Sequence, residues 1–302
     1  LWYRQLKLAR AVDTATEIEA LGEVGAIAWQ ENRGEDLRNI ANRLFTIEST
    51  IEAEELSPEV QQKLATAYQQ VRYVERAIAI YQQILPSNKA IGNLAAIESN
   101  LKTLGELYLA QFNYPEAAAT YEELLTLAQA KPPRDNKTDS YLQTLANIYD
   151  RTTQTKLAIA TKNKLIQSYT AANKTAKLAK LELAIADDYQ TLNQASEAVA
   201  AYNQAFELAS ENQQLAIASN ALTGLAELHQ QEGETEQAIA TFEGLLELQR
   251  QAYNYYGLVD TYDILGKIHL ASAQPQQSKD INHLDRSAGF SERNTPPCNS
   301  SL

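Results

Sequence analysis

The side chains able to do chemistry in this 302-residue chain are few and poorly grouped for it. Its three histidines are His229, His269 and His283, and its single cysteine, Cys298, lies within the last five residues. A zinc-type centre needs thiolate, imidazole or carboxylate ligands at ligand spacing, and none of these residues has such companions. One cysteine also allows no internal disulfide. Adjacent acids such as Glu122 and Glu123 could share acid–base work, but they fall on a charged helical face, where solvation accounts for them. No glycine-rich phosphate loop, nucleophile elbow or paired-histidine metalloprotease motif occurs. The sequence therefore predicts no catalytic residue, no metal and no cofactor, and argues against an enzyme.

What places His229 and His269 is a repeat. The stretch AIAIYQQIL from Ala77 returns as AAATYEELL from Ala117, AIATKNKLI from Ala158, AVAAYNQAF from Ala198 and AIATFEGLL from Ala238. A nearly constant interval of this size is the mark of a repeat architecture. Nine residues before each alanine stands a ring: Tyr68, Tyr108, Tyr149, Tyr189 and His229. Three residues before each ring comes a small residue after an apolar one: Leu64-Ala65, Leu104-Gly105, Leu145-Ala146, Ile185-Ala186 and Leu225-Ala226. Four residues after each alanine comes Tyr81, Tyr121, Lys162, Tyr202 or Phe242. Lys162 replaces a ring, so its unit is expected to pack less well on that side.

Spacings of three, four and seven put these positions on one face of a 3.6-residue helix. Each unit thus holds two helices, joined by turn groups such as QFNYPE (111–116) and QQEGET (230–235), which are short enough only for an antiparallel hairpin. Gly or Ala belongs where helix backbones approach closely, with a ring filling the space beside it. The register extends forward to Val24-Gly25 with Ala28 and Leu37, and back to Leu265-Gly266 with His269, which occupies a packing position. This predicts an all-α solenoid over 18–275: five clear units, one degenerate leading unit and one trailing half unit. Residues 1–17 read as a helix of a truncated upstream repeat, and 276–302 as a disordered or non-native tail.

The pattern Leu104-Gly105-x-x-Tyr108 followed by Ala117-x-x-x-Tyr121 resembles the tetratricopeptide repeat, whose usual period is shorter than the one here. The longer period predicts longer helices. The resemblance implies a right-handed superhelix whose concave wall is lined by first helices, and a scaffold that binds other proteins. Counted from the ring, wall positions are Thr66, Gln69 and Gln70, then Glu106 and Leu109, then Asn147, Asp150 and Arg151, then Asp187, Gln190 and Thr191, and finally Glu227, Gln230 and Gln231. Lys102 and Lys63 are the bases nearest them. This wall is polar and mildly acidic, suited to an extended backbone or a helix carrying bases. It lacks the basic cluster of the family's carboxylate clamps, because Lys63, Lys102 and Arg151 are interleaved with Glu106, Asp150 and Asp187.

With 38 acidic and 26 basic residues the net charge is -12, which argues against nucleic acid as a partner. No apolar run reaches the roughly 20 residues of a membrane-spanning helix, so no membrane insertion is expected. The expected partner is a peptide or helix of another protein, in the cytoplasm, with export left open because the chain begins at Leu1. Alternatives are self-association through exposed solenoid ends, where YNYYGLVDTYDIL (253–265) is notably aromatic, or the sensor half of a larger regulator.

Overall fold

The computed structural model of the chain describes residues 2–51, 57–129 and 136–288, and every element among them is an α-helix. The chain divides into two compact units, Leu1–Thr161 and Lys162–Leu302. The first holds α1 (Trp2–Arg10), α2 (Thr14–Gln30), α3 (Gly34–Ile51), α4 (Pro58–Gln70), α5 (Val74–Ile91), α6 (Leu94–Ala110), α7 (Tyr114–Gln129) and α8 (Asn136–Arg151). The boundary falls within α9 (Thr155–Ala171). The second continues with α10 (Thr175–Thr191), α11 (Ala195–Glu211), α12 (Leu215–Gln231), α13 (Thr235–Gln251) and α14 (Tyr255–Ala288). In the second unit each helix from α10 to α13 packs on the next, and α10 also touches α12 past α11. In the first, α2 touches both α3 and α4. Neighbour contacts plus first-helix-to-first-helix contacts are the signature of stacked hairpins.

The backbone repeats at half the interval visible in the sequence. Helices α9 to α13 are equal in length and begin at 155, 175, 195, 215 and 235, separated by equally short turns. The middle residue of each turn is left-handed: Asn173 (φ 51°), Asn193 (55°), Gln213 (56°), Gly233 (77°) and Tyr253 (54°). Asn32, Arg72, Phe112 and Thr153 do the same earlier in the chain, and Gly92 is left-handed at the start of the two-residue turn between α5 and α6. The residue after it then donates its N–H to a carbonyl five residues back, as Gln194 does to Tyr189 (2.9 Å) and Glu234 to His229 (2.8 Å). This closure satisfies carbonyls that the helix end would leave open. The ring position of each first helix is thereby also the residue whose carbonyl receives the turn.

Side-chain packing follows the register. Ala65, Ala77, Ala117, Ala158, Ala186, Ala198, Ala226 and Ala238 have no exposed surface. Leu64, Leu104, Leu145, Ile185, Leu225, Ala146 and Gly105 are buried beside them. So are Tyr68, Tyr81, Tyr108, Tyr121, Tyr149, Tyr202 and Phe242, whereas Tyr189 is half-buried and His229 lies close under the surface. Close approach is measurable at Gly105: a Cβ there would stand 2.8 Å from the Tyr121 ring.

Several expectations need correction. Lys162 does not leave a defect: it is 5 % exposed, and its ammonium meets Asp188 Oδ2 at 2.8 Å. His269 is exposed rather than packed, because the buried face of α14 is Thr261, Leu265 and Ile268. In α3 the fully packed small residue is Ala41, four residues after the half-buried Leu37. The boundary expected at 17/18 lies inside α2, which starts at Thr14 because Asp13 accepts the Thr16 N–H at 2.7 Å as an N-cap. Helical backbone runs on to Ala288, past the tail boundary expected at 276, and the remainder of that tail, 289–302, lies outside the described residues.

Candidate functional site

The wall positions sit on first helices with their side chains outward. Thr66, Lys102, Glu106, Asn147, Asp150, Arg151, Asp187, Glu227 and Gln230 are exposed, while Gln69 and Gln190 are half-buried. Amphipathic patterning explains this: the apolar–small–ring face of each helix is taken up by packing, so residues two before and one after the ring turn away from it.

In the second unit the rings organise this wall from beneath. The Tyr202 hydroxyl on α11 lies 2.8 Å from Asp187 Oδ1 and 2.7 Å from Gln190 Oε1, both on α10. Burial, then the Asp187 hydrogen bond and the charges of Asp187 and Glu227, hold this phenol well above the ordinary tyrosine range, so it stays a donor. Gln190 passes the order on, donating from Nε2 to Gln231 Oε1 at 3.2 Å on α12. Tyr202, Asp187, Gln190 and Gln231 thus form one polar chain across two successive first helices.

The first unit uses the same device with different partners. Tyr81 O–H and Thr66 Oγ1 lie 3.1 Å apart. Glu106 adds its charge to the burial that raises the Tyr121 phenol. Rings of the first helices reach backward: Tyr68 donates to Glu48 at 2.5 Å, Tyr149 donates to Glu122, and Tyr108 accepts from Gln82 at 2.7 Å. The bases near the wall are engaged locally, Lys63 with Glu19 at 2.9 Å and Lys102 with Glu106 at 3.9 Å. A preformed carboxylate clamp is not assembled from them.

Two open cavities lie along α2 and α4. One, of about 450 Å³, is lined by Glu19, Glu23, Glu59, Gln62, Lys63, Thr66 and Gln70. The other, of about 360 Å³, is lined by Ala26, Trp29, Gln30, Thr66, Gln69, Gln70 and Arg72. Thr66 and Gln70 border both. Trp29 is 49 % exposed, and the Arg72 guanidinium lies 5.5 Å from its ring centroid. Sequence reasoning missed Trp29, Glu19 and Glu23, although a signal existed. If Ala28 is read as the ring position of the leading unit, the same rule that names Thr66, Gln69 and Gln70 names Ala26, Trp29 and Gln30.

Among the described residues no group of three or more His, Cys, Asp or Glu side chains could hold a metal ion, and no helix is long and apolar enough to cross a membrane. His229 Nδ1 lies 2.6 Å from Glu234 Oε2 across a turn, an arrangement that orients the imidazole.

Comparison with known proteins agrees with this architecture. The chain is similar in structure to RapI (TM-score 0.52, 10 % identity, covering 95 % of this chain and 90 % of that one). It is similar to aspartyl phosphate phosphatase F from Bacillus subtilis (0.49, 14 %, covering 90 % and 76 %). It is also similar to the tetratricopeptide repeat protein YrrB (0.44, 14 %, covering 72 % and 97 %). No curated protein matches it in sequence. The repeat is of the tetratricopeptide type, and the family model for soluble NSF attachment protein, SNAP, matches residues 100–254. That match spans just over half of the sequence, and the chain belongs to the SNAP family.

Proposed function

We propose that this chain is a non-catalytic protein-interaction scaffold that holds a peptide or partner helix against the wall of its first helices. The observation that carries the reading is the pair of adjoining cavities along α2 and α4, where three glutamates, one of them, Glu19, paired with Lys63, stand beside a half-exposed tryptophan. Such a surface suits a segment with a basic residue next to an apolar or aromatic one: carboxylates take the base, and the indole covers the apolar side chain.

The test is a peptide array probed with the full chain and with the Trp29→Ala and Glu23→Lys variants, helicity being followed by circular dichroism. Enrichment of peptides pairing Lys or Arg with an apolar residue, lost in both variants at unchanged helicity, supports the reading. Preference for acidic peptides, or binding that both variants retain, overturns it.

A second reading, self-association, is favoured by α14. Tyr255, Val259, Tyr262 and Leu270 fall along one stripe and are 50 to 69 % exposed, with Tyr256 beside them at 89 %. Exposed apolar stripes of this kind mark contact surfaces. Sedimentation velocity over a hundredfold concentration range tests it: a shift abolished by Tyr256→Glu with Val259→Glu supports self-association, and a constant monomer excludes it.

A further inference from the structure

A cleft of about 270 Å³ opens between α1, α2 and α3. Its floor is apolar, formed by Leu21, Val24 and Ile40, each no more than 7 % exposed. Its rim is charged, with four cations, Lys7, Arg10, Arg33 and Arg43, against two anions, Glu17 and Asp36. A local excess of two positive charges is conspicuous in a chain of net charge -12.

The two anions are already committed. The Glu17 side chain is 8 % exposed, and Arg43 takes both its oxygens, Nε to Oε1 at 2.7 Å and Nη2 to Oε2 at 2.8 Å. This bidentate fork fixes one wall of the cleft. Asp36 is paired with Arg33. Arg10 reaches Glu17 only at 3.9 Å, its side chain 65 % exposed, and Lys7 stands one helical turn earlier on α1. The edge contributed by α1 therefore carries positive charge that the acids of the cleft do not neutralise.

We propose that this cleft binds a small amphipathic anion, of the class of a medium-chain carboxylate, with its hydrocarbon on Leu21, Val24 and Ile40 and its head group between Lys7 and Arg10. The apolar floor supplies burial for a tail, and the rim selects the sign of the head. The volume lies just below the range of ordinary ligand pockets, roughly 300 to 1,000 Å³, which favours a short chain over a membrane lipid. This site is independent of the partner-binding wall, since none of its residues lines the cavities there.

Isothermal titration of the full chain with decanoate, below its critical micelle concentration, tests the proposal. Decyltrimethylammonium supplies the same tail with the opposite head, and acetate supplies the head alone. Expected is saturable binding of one decanoate per chain, none of either control, and at least tenfold weaker decanoate binding in Lys7→Glu combined with Arg10→Glu. Thermal unfolding of that variant shows that the fold persists. Equal binding of the two amphiphiles, undiminished binding in the folded variant, or no saturable decanoate binding overturns it.

Discussion

Tyr202 and Lys162 occupy the same place in successive hairpins, four residues after the fully buried alanines Ala198 and Ala158. Both are almost completely enclosed, yet one is a phenol and the other an ammonium. Their partners are consecutive residues on one helix: Tyr202 reaches Asp187 on α10 from α11, and Lys162 reaches Asp188 on α10 from α9. Successive helical residues point about 100° apart, so two adjacent acids serve neighbours on two sides. The alanine is fixed by backbone approach, while the position four residues after it needs bulk, which Phe242 supplies alone and which Tyr81, Lys162 and Tyr202 supply with a polar tip that finds a partner on a first helix. A ring is one solution to that requirement and an ion pair is another.

This comparison can be broken in graded steps. If close approach at the alanine is the fixed element, Ala198→Trp and Ala158→Trp each cost about 3 kcal/mol or more in chemical denaturation, and the exposed Ala119→Trp costs almost nothing. Ala118, which the repeat spacing alone would place outward, is buried and is no control. Next, Asp188→Ala strands the Lys162 ammonium away from its carboxylate and lowers stability by about 2 kcal/mol, less than a wholly buried pair because Asp188 sits nearer the rim. Adding Lys162→Tyr to that variant restores part of the loss if bulk with a polar tip is what the position needs. Lack of any recovery would separate the two positions.

A smaller change, Tyr202→Phe, keeps the ring and removes the hydroxyl between Asp187 and Gln190, for a loss of about 1 kcal/mol in the same assay. The mildest test uses Glu182, a half-buried carboxyl on α10 that burial holds above its ordinary value of 4.5. Its folded form binds the proton more tightly than the unfolded chain does, so stability falls as pH rises from 4.5 through the folded value. Glu182→Gln is therefore expected to raise the melting temperature at pH 7, with the gain closing as pH approaches 4.5. A gain independent of pH would exclude burial of charge as its source.

The hairpin architecture was legible because alanine, ring and small residue recur in types that packing itself demands. The faster rhythm of the turns, one per helix, was not. It resides in backbone angles, and the left-handed residues Arg72, Phe112, Asn193 and Gly233 share no chemical type. The Lys162 pair escaped for a related reason: Asp188 is distant in sequence, and only the folded second unit makes it a neighbour. Along the wall, Thr66, Gln69 and Gln70 were placed by counting from Tyr68, whereas Trp29 was passed over because its unit has Ala28 where a ring would have drawn attention.

The uniform turn has a consequence for the history and engineering of the molecule. Helix starts at 155, 175, 195, 215 and 235 mean that lengths of chain are interchangeable in quanta. Excision of Thr175 through Gln214, two such quanta, rejoins a turn to a helix start in matching backbone geometry and exchanges one first helix for the next. Excision of one quantum, Thr175 through Gln194, does the same to the backbone but swaps inner and outer faces, placing Ala198 and Tyr202 where Leu178 and Glu182 had been. Gains and losses of whole hairpins should thus leave folded proteins behind, whereas half steps should select against themselves.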